Sequence, residues 1–260
     1  MCELLGMSAN VPTDINFSLS GLISRGGQTG PHKDGWGITF YEGLGCRTFK
    51  DPQPSFLSPV ARFVQEYPIK SETVIAHIRQ ANRGDVTLAN THPFTRELWG
   101  RNWTYAHNGQ LKGYRSLNTG HYRPIGETDS EKAFCWILSQ LAAKYPKTPS
   151  NWPAVFRFIA VLAEQLRRKG VFNMLLSDGR YVMAFCSTNL YWITRKAPFG
   201  KAKLLDQDIE IDFQSCTTPT DIVSVIATQP LTGNENWHKI EPGSFVLFHL
   251  GQRILRSKSQ

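Results

Sequence analysis

The chain lacks any apolar run near the roughly 18 residues that a membrane span requires, and it has no basic leader followed by an apolar stretch at its start. No membrane association is expected, and the location is read as cytoplasmic. Its five cysteines (Cys2, Cys46, Cys135, Cys186 and Cys216) are odd in number and scattered, with no C-x-x-C pair and no His/Cys cluster at metal-ligand spacing. That excludes a disulfide framework or a structural zinc site as the expected scaffold, and no metal is expected. A reducing compartment also suits a free thiol near the N-terminus. Internal repeats, low-complexity tracts and Gly/Ser/Pro linkers are missing as well. The 260 residues therefore read as one domain over 1–260, at the upper end of what a single core supports.

The net charge of +8 comes from 29 basic against 21 acidic side chains, but no stretch concentrates it. Arg167-Arg168-Lys169 stands at a predicted helix end, where cations compensate the helix dipole. Arg195-Lys196 with Lys201 and Lys203, and Arg253, Arg256 and Lys258, read as solvated faces. A nucleic-acid partner is not expected. The glycine-rich segment "SRGGQTGPHKDGWGI" (24–38) lacks the Gly-Lys-Ser/Thr ending of a phosphate loop and reads as a long loop entering a strand.

Strand patterns dominate what is present. In "TVIAHIR" (73–79), Val74, Ala76 and Ile78 alternate with Ile75, His77 and Arg79, so a sheet places His77 and Arg79 on one face. "NMLLSDGRYVMAFC" predicts a hairpin around Asp178-Gly179, "LYWITR" and "DIVSVIAT" two further strands, and "GSFVLFHLGQRI" a last hairpin. Helices are predicted at "PVARFVQEY" (59–67), at "TDSEKAFCWILSQLAAKY" behind the capping-box pattern Thr128-x-x-Glu131, and at "PAVFRFIAVLAEQLRRKG" from Pro153 to a stop at Gly170. Helices between groups of hairpins predict a layered α+β domain with antiparallel sheets.

Cysteine stands second. Once the initiator methionine is removed, Cys2 carries a free α-amine two bonds from the carbon that bears its thiol. That amine has a reference pKa of about 7.7–8.0, against about 10.4 for lysine, so near neutrality part of it can act as a base. The reaction class that follows is acyl transfer through a thioester. Asn108 and Gly109 in "AHNGQL" could supply oxyanion donors, although Asn-Gly is also the commonest tight-turn dipeptide. Arg79 could fork onto a carboxylate and Asp129 could accept from an ammonium; each also has an ordinary reading, as a surface arginine and as a first-turn acid favoured by the helix dipole.

The opening "MC", "RGG...DGWGI", "AHIRQANRG", "NTHPF", "AHNGQL" and "GETDSE", with "IATQPLTGNENW" and "EPGSF" further on, occur in an order that resembles the class II glutamine amidotransferases. These form the cysteine-first branch of the N-terminal-nucleophile hydrolases, and the likeness is to their stand-alone, YafJ-type members. The resemblance implies a four-layer αββα sandwich of two antiparallel sheets and a glutaminase site without a cofactor. It implies Cys2 as nucleophile, Asn108 and Gly109 as oxyanion donors, Arg79 for the substrate α-carboxylate and Asp129 for its α-ammonium. Arg25 and His77 are implied as supporting residues. Glutamine hydrolysis, with ammonia passed to a separate synthase or acceptor subunit or simply released, is the expected activity. The alternatives are a free-standing hydrolase of larger γ-glutamyl amides and a non-catalytic binder of glutamine or a γ-glutamyl metabolite. Gln80-Ala81-Asn82 departs from the aromatic-bearing version found in synthase-linked members of the family.

Overall fold

The computed structural model describes residues 2–67, 69–81 and 84–258. Along the chain run β1 (Glu3–Asp14), α1 (Asn16–Arg25), β2 (Trp36–Glu42), β3 (Gly45–Asp51), α2 (Pro59–Glu66), β4 (Lys70–Ile78), β5 (Phe94–Leu98) and β6 (Arg101–Leu111). There follow α3 (Asp129–Lys144), α4 (Trp152–Arg167), β7 (Gly170–Ser177), β8 (Tyr181–Cys186), β9 (Tyr191–Lys196), β10 (Lys201–Lys203) and β11 (Glu210–Asp212). The last strands are β12 (Ile222–Ala227), β13 (His238–Lys239), β14 (Ser244–His249) and β15 (Gln252–Lys258).

One sheet has the order β13-β9-β12-β1-β4-β2-β3 and the other β15-β14-β8-β7-β6-β5, while β10 and β11 form a separate pair. The neighbouring strands are antiparallel throughout. Three apolar clusters correspond to three interfaces between four layers. Leu19, Leu22 and Ile23 of α1 and Ala61 and Val64 of α2 pack on Leu5, Met7, Val74, Ala76 and Ile78. Leu4, Ile75 and Ile226 meet Ala106, Leu175, Val182, Ala184 and Val246 between the sheets. Phe134, Ile137, Leu138 and Leu141 of α3, with Val155, Ile159, Leu162 and Leu166 of α4, cover the outer face of the second sheet. The fold is thus an α+β, four-layer αββα sandwich.

Strand alternation decides what reaches the space between the sheets. In β4 the two faces separate as the pattern predicts, with Val74, Ala76 and Ile78 toward the helices and Ile75 toward the opposite sheet. In β1 the same rule sends Leu5 toward α1 and Leu4 inward. Cys2 therefore shares the inward parity of Leu4, and Glu3 the helix-side parity of Leu5.

Helix α1 is the element that the pattern reading leaves out, and residues 24 and 25 of the supposed loop belong to it. Its signal is present in the 3.6-residue spacing of Ile15, Leu19, Leu22 and Ile23 but is short and ends in glycines. At α3, Thr128 Oγ accepts from Glu131 N at 3.2 Å, as a capping box requires. The reciprocal half is absent, because Glu131 turns to Gly126 N (2.7 Å) and to Arg96 (2.5 Å). Helix α4 ends at Arg167, and Gly170 opens β7 instead of closing the helix. Arg195 also departs from the solvated-face reading: it forks onto Glu235 at 2.8 and 2.6 Å from a largely buried position.

Candidate active site

Cys2, Arg79, Asn108, Gly109 and Asp129 line one cleft of about 200 Å³, together with Gln80, Ala81, His92, His107 and Ser130. The first five come from four separate stretches of chain, so it is the sandwich that assembles them. Cys2 stands just before β1, Arg79 just after β4, and Asn108 and Gly109 inside β6, while Asp129 is the first residue of α3.

The Asn-Gly pair is not a turn. Asn108 lies opposite Asn173 and Gly109 opposite Phe172 in the β6–β7 ladder, and Asn173 Nδ2 donates to Asn108 O at 3.1 Å. Asn108 shares the inward parity of Ala106, and its Nδ2 donates to the Cys2 carbonyl at 2.5 Å. This bond ties the nucleophile's backbone to the opposite sheet. An amide nitrogen carries two hydrogens, so one remains for an acceptor in the cleft. Glycine is required at 109 because a Cβ there would lie 1.9 Å from Val171 O.

Cys2 is half-buried, and burial raises its pKa; the Gln80 backbone and the positive charge of Arg79 act in the opposite direction. Gln80 N donates to Cys2 Sγ at 3.3 Å. A thiol whose pKa is raised is a weaker source of thiolate, so its chemistry calls for an adjacent base.

The segment after β4 is clamped from one side. Asp34 N donates to Arg79 O (3.2 Å), Arg79 N donates to Gly35 O (2.7 Å) and Ala81 N donates to Asp34 Oδ2 (2.6 Å). Gly35 adopts φ +110°, a conformation that side chains resist. The Asp-Gly of the "DGWG" run is thereby accounted for: it sets the backbone that places Arg79 and Gln80. The Arg79 guanidinium is buried and donates to the carbonyls of Asp85 (2.9 Å) and Gly84 (3.1 Å).

Asp129 is fixed by two backbone donors, Leu111 N to Oδ2 at 2.6 Å and Ser130 N to Oδ1 at 3.0 Å. Each carboxylate oxygen has a second lone pair for a ligand. Behind it, His107 Nε2 lies 3.1 Å from Val171 O and Nδ1 lies 2.8 Å from Ser130 Oγ. A carbonyl can only accept, so Nε2 carries the proton and Nδ1 accepts from the serine hydroxyl. Burial holds this imidazole below its ordinary pKa. His107 is an orienting group in the wall of the cleft.

His77 and Arg25 do not line the cleft. His77 is fully buried between the sheets, stacks on His92 with ring centroids 4.2 Å apart, and is pushed down to about 3 by burial. It is packed, neutral and unsuited to proton transfer near pH 7. Arg25, in the last turn of α1, bonds Glu3 and so sits behind the nucleophile. The alternation in β1 already pointed to Glu3 on the helix side, whereas no local pattern marks Asp34, Asp206 or Ser130 as partners of the site. Met1 and Asn82, on which the freeing of the α-amine and part of the departure after Arg79 depend, lie outside the described residues. Among the described residues no group of three or more His, Cys, Asp or Glu is placed to hold a metal ion, and no helix is long and apolar enough to cross a membrane.

The sequence model of the family described as class-II glutamine amidotransferases matches residues 1–260. The chain belongs to the class II glutamine amidotransferases. Within that family, YafJ of Escherichia coli strain K12 is 76% identical over 255 residues, covering 98% of this chain and 100% of YafJ. A relative from Haemophilus influenzae is 49% identical over 254 residues, covering 98% of this chain and 86% of its own. Both carry glutamine amidotransferase in their names as an unconfirmed assignment. The crystal structure of a protein of the same assignment from Pseudomonas aeruginosa PA01 superposes with a TM-score of 0.78 at 49% identity, over 98% of this chain and 100% of the other. Glutamine phosphoribosylpyrophosphate amidotransferase of Bacillus subtilis, 15% identical, matches all of this chain with 49% of its own and a TM-score of 0.65. That last likeness bears on the fold alone. The αββα sandwich of this chain is the N-terminal-nucleophile hydrolase fold.

Proposed function

We propose that this amidotransferase hydrolyses the γ-amide of glutamine to glutamate and ammonia through a γ-glutamyl thioester on Cys2. The observation that carries the reading is the convergence of a half-buried thiol, an amide donor, a glycine with no room for a side chain, a guanidinium and a carboxylate in one cleft of about 200 Å³. That volume lies below the roughly 300–1,000 Å³ of sites for larger ligands, and it suits a single amino-acid head.

In this mechanism removal of Met1 frees the α-amine of Cys2. The neutral amine takes the thiol proton, and Sγ attacks the γ-carbonyl carbon. The oxyanion is held by the second N–H of Asn108 Nδ2 and the Gly109 N–H. When the tetrahedral adduct collapses, the C–N bond breaks and the ammonium of Cys2 returns the proton to the leaving nitrogen, releasing ammonia. Water, deprotonated by the same amine, attacks the thioester and expels the thiolate with glutamate as product. Arg79 and Asp129 bind the α-carboxylate and α-ammonium, which selects a free amino-acid head group.

A larger γ-glutamyl amide is the second reading. It is favoured by Gln80 and Ala81 in the cleft wall, neither of them the aromatic residue that synthase-linked members carry in this segment.

Intact mass of the purified chain, before and after a diazoketone glutamine analogue, tests the proposal. A chain lacking Met1 that gains one adduct, with no adduct in Cys2→Ala, supports it. A processed chain that binds glutamine without adduct or turnover is a binder, and turnover of a γ-glutamyl peptide far above glutamine selects the second reading. Ammonia released in stoichiometric yield by the chain alone would remove the need for a separate acceptor subunit.

A further inference from the structure

The motif "TGNENW" and the β10–β11 hairpin take no part in the chemistry above, yet their bonds lead back to the nucleophile. Arg25 is buried, with Nε donating to Asp206 Oδ2 (2.8 Å), Nη1 to Glu3 Oε2 (3.2 Å) and Gln229 O (3.4 Å), and Nη2 to Pro230 O (2.8 Å). Glu3 is the residue after Cys2, and it too is buried. Asp206 sits in the turn that joins β10 to β11, closed by Leu204 N donating to Ile209 O at 3.0 Å.

The two strands of this hairpin have three residues each and belong to neither large sheet. Specific bonds hold it in place instead. Asn234 acts as a third strand for β10, accepting from Lys203 N (2.9 Å) and donating to Lys201 O (2.9 Å). Leu205 N donates to Leu231 O (2.9 Å), and Gly233 N to Lys203 O (3.2 Å). At the tip, Gln207 Nε2 donates to Ser24 Oγ (2.5 Å) and Thr29 Oγ1 to Asp206 Oδ1 (3.3 Å).

A guanidinium is a rigid planar fork, so fixing its Nε edge fixes the direction of both Nη groups. Glu3 is the first residue of β1 and follows Cys2 directly, so the Arg25 contact anchors the strand at the point where the nucleophile leaves it. We propose that Asp206 is a positioning residue for the reaction: it orients Arg25, which holds Glu3 and with it the placement of Cys2. The proposal rests on Cys2 as the reacting thiol. Asp206 does not line the cleft, so the contacts of Arg79 and Asp129 with substrate are independent of it.

The test compares the full chain with Asp206→Ala, Asp206→Asn and Asn234→Ala, using the diazoketone glutamine analogue and intact mass to separate the inactivation rate constant from the binding constant. Asn keeps an acceptor for Arg25 Nε and Ala does not. Asp206→Ala is expected to lower the rate constant by about tenfold to a hundredfold, in the range that a misplacement of the order of 1 Å costs. The binding constant stays within about twofold, since the head-group contacts are untouched. Asp206→Asn is expected to retain most of the rate, and Asn234→Ala to fall in the same sense as Asp206→Ala. A wild-type rate constant in folded Asp206→Ala, a loss confined to the melting temperature, or equal losses in the Ala and Asn variants would each overturn the proposal. If Asp206→Ala does not fold, a wild-type rate constant in Asn234→Ala overturns it. Failure of the wild-type chain to react at all, once intact mass shows Met1 removed, would instead refute the glutaminase reading.

Discussion

Replacing Asn108 by alanine separates two tasks that one side chain performs. Its Nδ2 donates to the Cys2 carbonyl at 2.5 Å from a fully buried position, and in the proposed mechanism its other hydrogen meets the oxyanion. Losing the first contact leaves a buried carbonyl without that donor, at a cost of about 1–3 kcal/mol, or roughly 2–12 °C in Tm for a chain of this size. Losing the second removes one oxyanion donor, for which about 10²–10³ in kcat is expected. KM for glutamine should change by less than about threefold, because Arg79 and Asp129 are untouched. Asn108→Asp keeps the shape but supplies no donor and adds a negative charge, so its kcat should fall at least as far. The assay is glutamate formation at saturating glutamine, paired with the rate at which iodoacetamide alkylates Cys2. An unchanged alkylation rate alongside a large loss of kcat locates the loss in the oxyanion. If kcat of Asn108→Ala stays within about threefold of wild type, or alkylation falls in parallel with kcat, the oxyanion assignment is wrong.

Arg79→Lys and Asp129→Asn each remove a charge-assisted or bidentate contact worth about 1.5–3 kcal/mol, so KM should rise by roughly 10- to 150-fold with a smaller change in kcat; a change confined to kcat would contradict their role as head-group contacts. Gly109→Ala places a methyl 1.9 Å from Val171 O, so β6 and β7 must separate locally, and both Tm and kcat should drop; a variant with wild-type values of both would show that the strands yield freely there. Burial pushes His77 down to about 3 and lowers His92 and His107 as well. Above pH 6.5 the histidines are neutral in folded and unfolded chains alike, whereas between pH 6.5 and 3 the unfolded chain binds protons that the folded one refuses, so stability falls as the pH falls. Melting temperatures measured from pH 7.5 to 5 should decline accordingly, and a flat profile would refute the account of these three rings.

Several elements were legible because the deciding forces are local. The alternation in 73–79, the Asp178-Gly179 hairpin and the apolar stripes of α3 and α4 each express a period that the backbone imposes on neighbouring side chains. Helix α1 escaped because ten residues with a glycine inside and glycines after it carry a weak local signal. The Asn108-Gly109 pair shows the opposite limit. Its turn propensity is genuine, but pairing with β7 from Thr104 to Leu111 outweighs it.

The sequence by itself determined the periods of its strands and helices, the order of motifs that marks the family, and the chemistry available at each site residue. A cysteine, an amide, a glycine, a guanidinium and a carboxylate can be read one letter at a time. Only the tertiary structure decided that they meet. Cys2 faces Asn108 because β1 and β6 belong to different sheets whose inner faces pack together, and Glu3 faces Arg25 because one residue along a strand reverses the side chain. The link from Asp206 to Glu3 crosses some two hundred residues of chain through a single guanidinium. A contact of that range leaves no periodic trace in the sequence, since it is set by how the layers pack and not by the backbone that joins them.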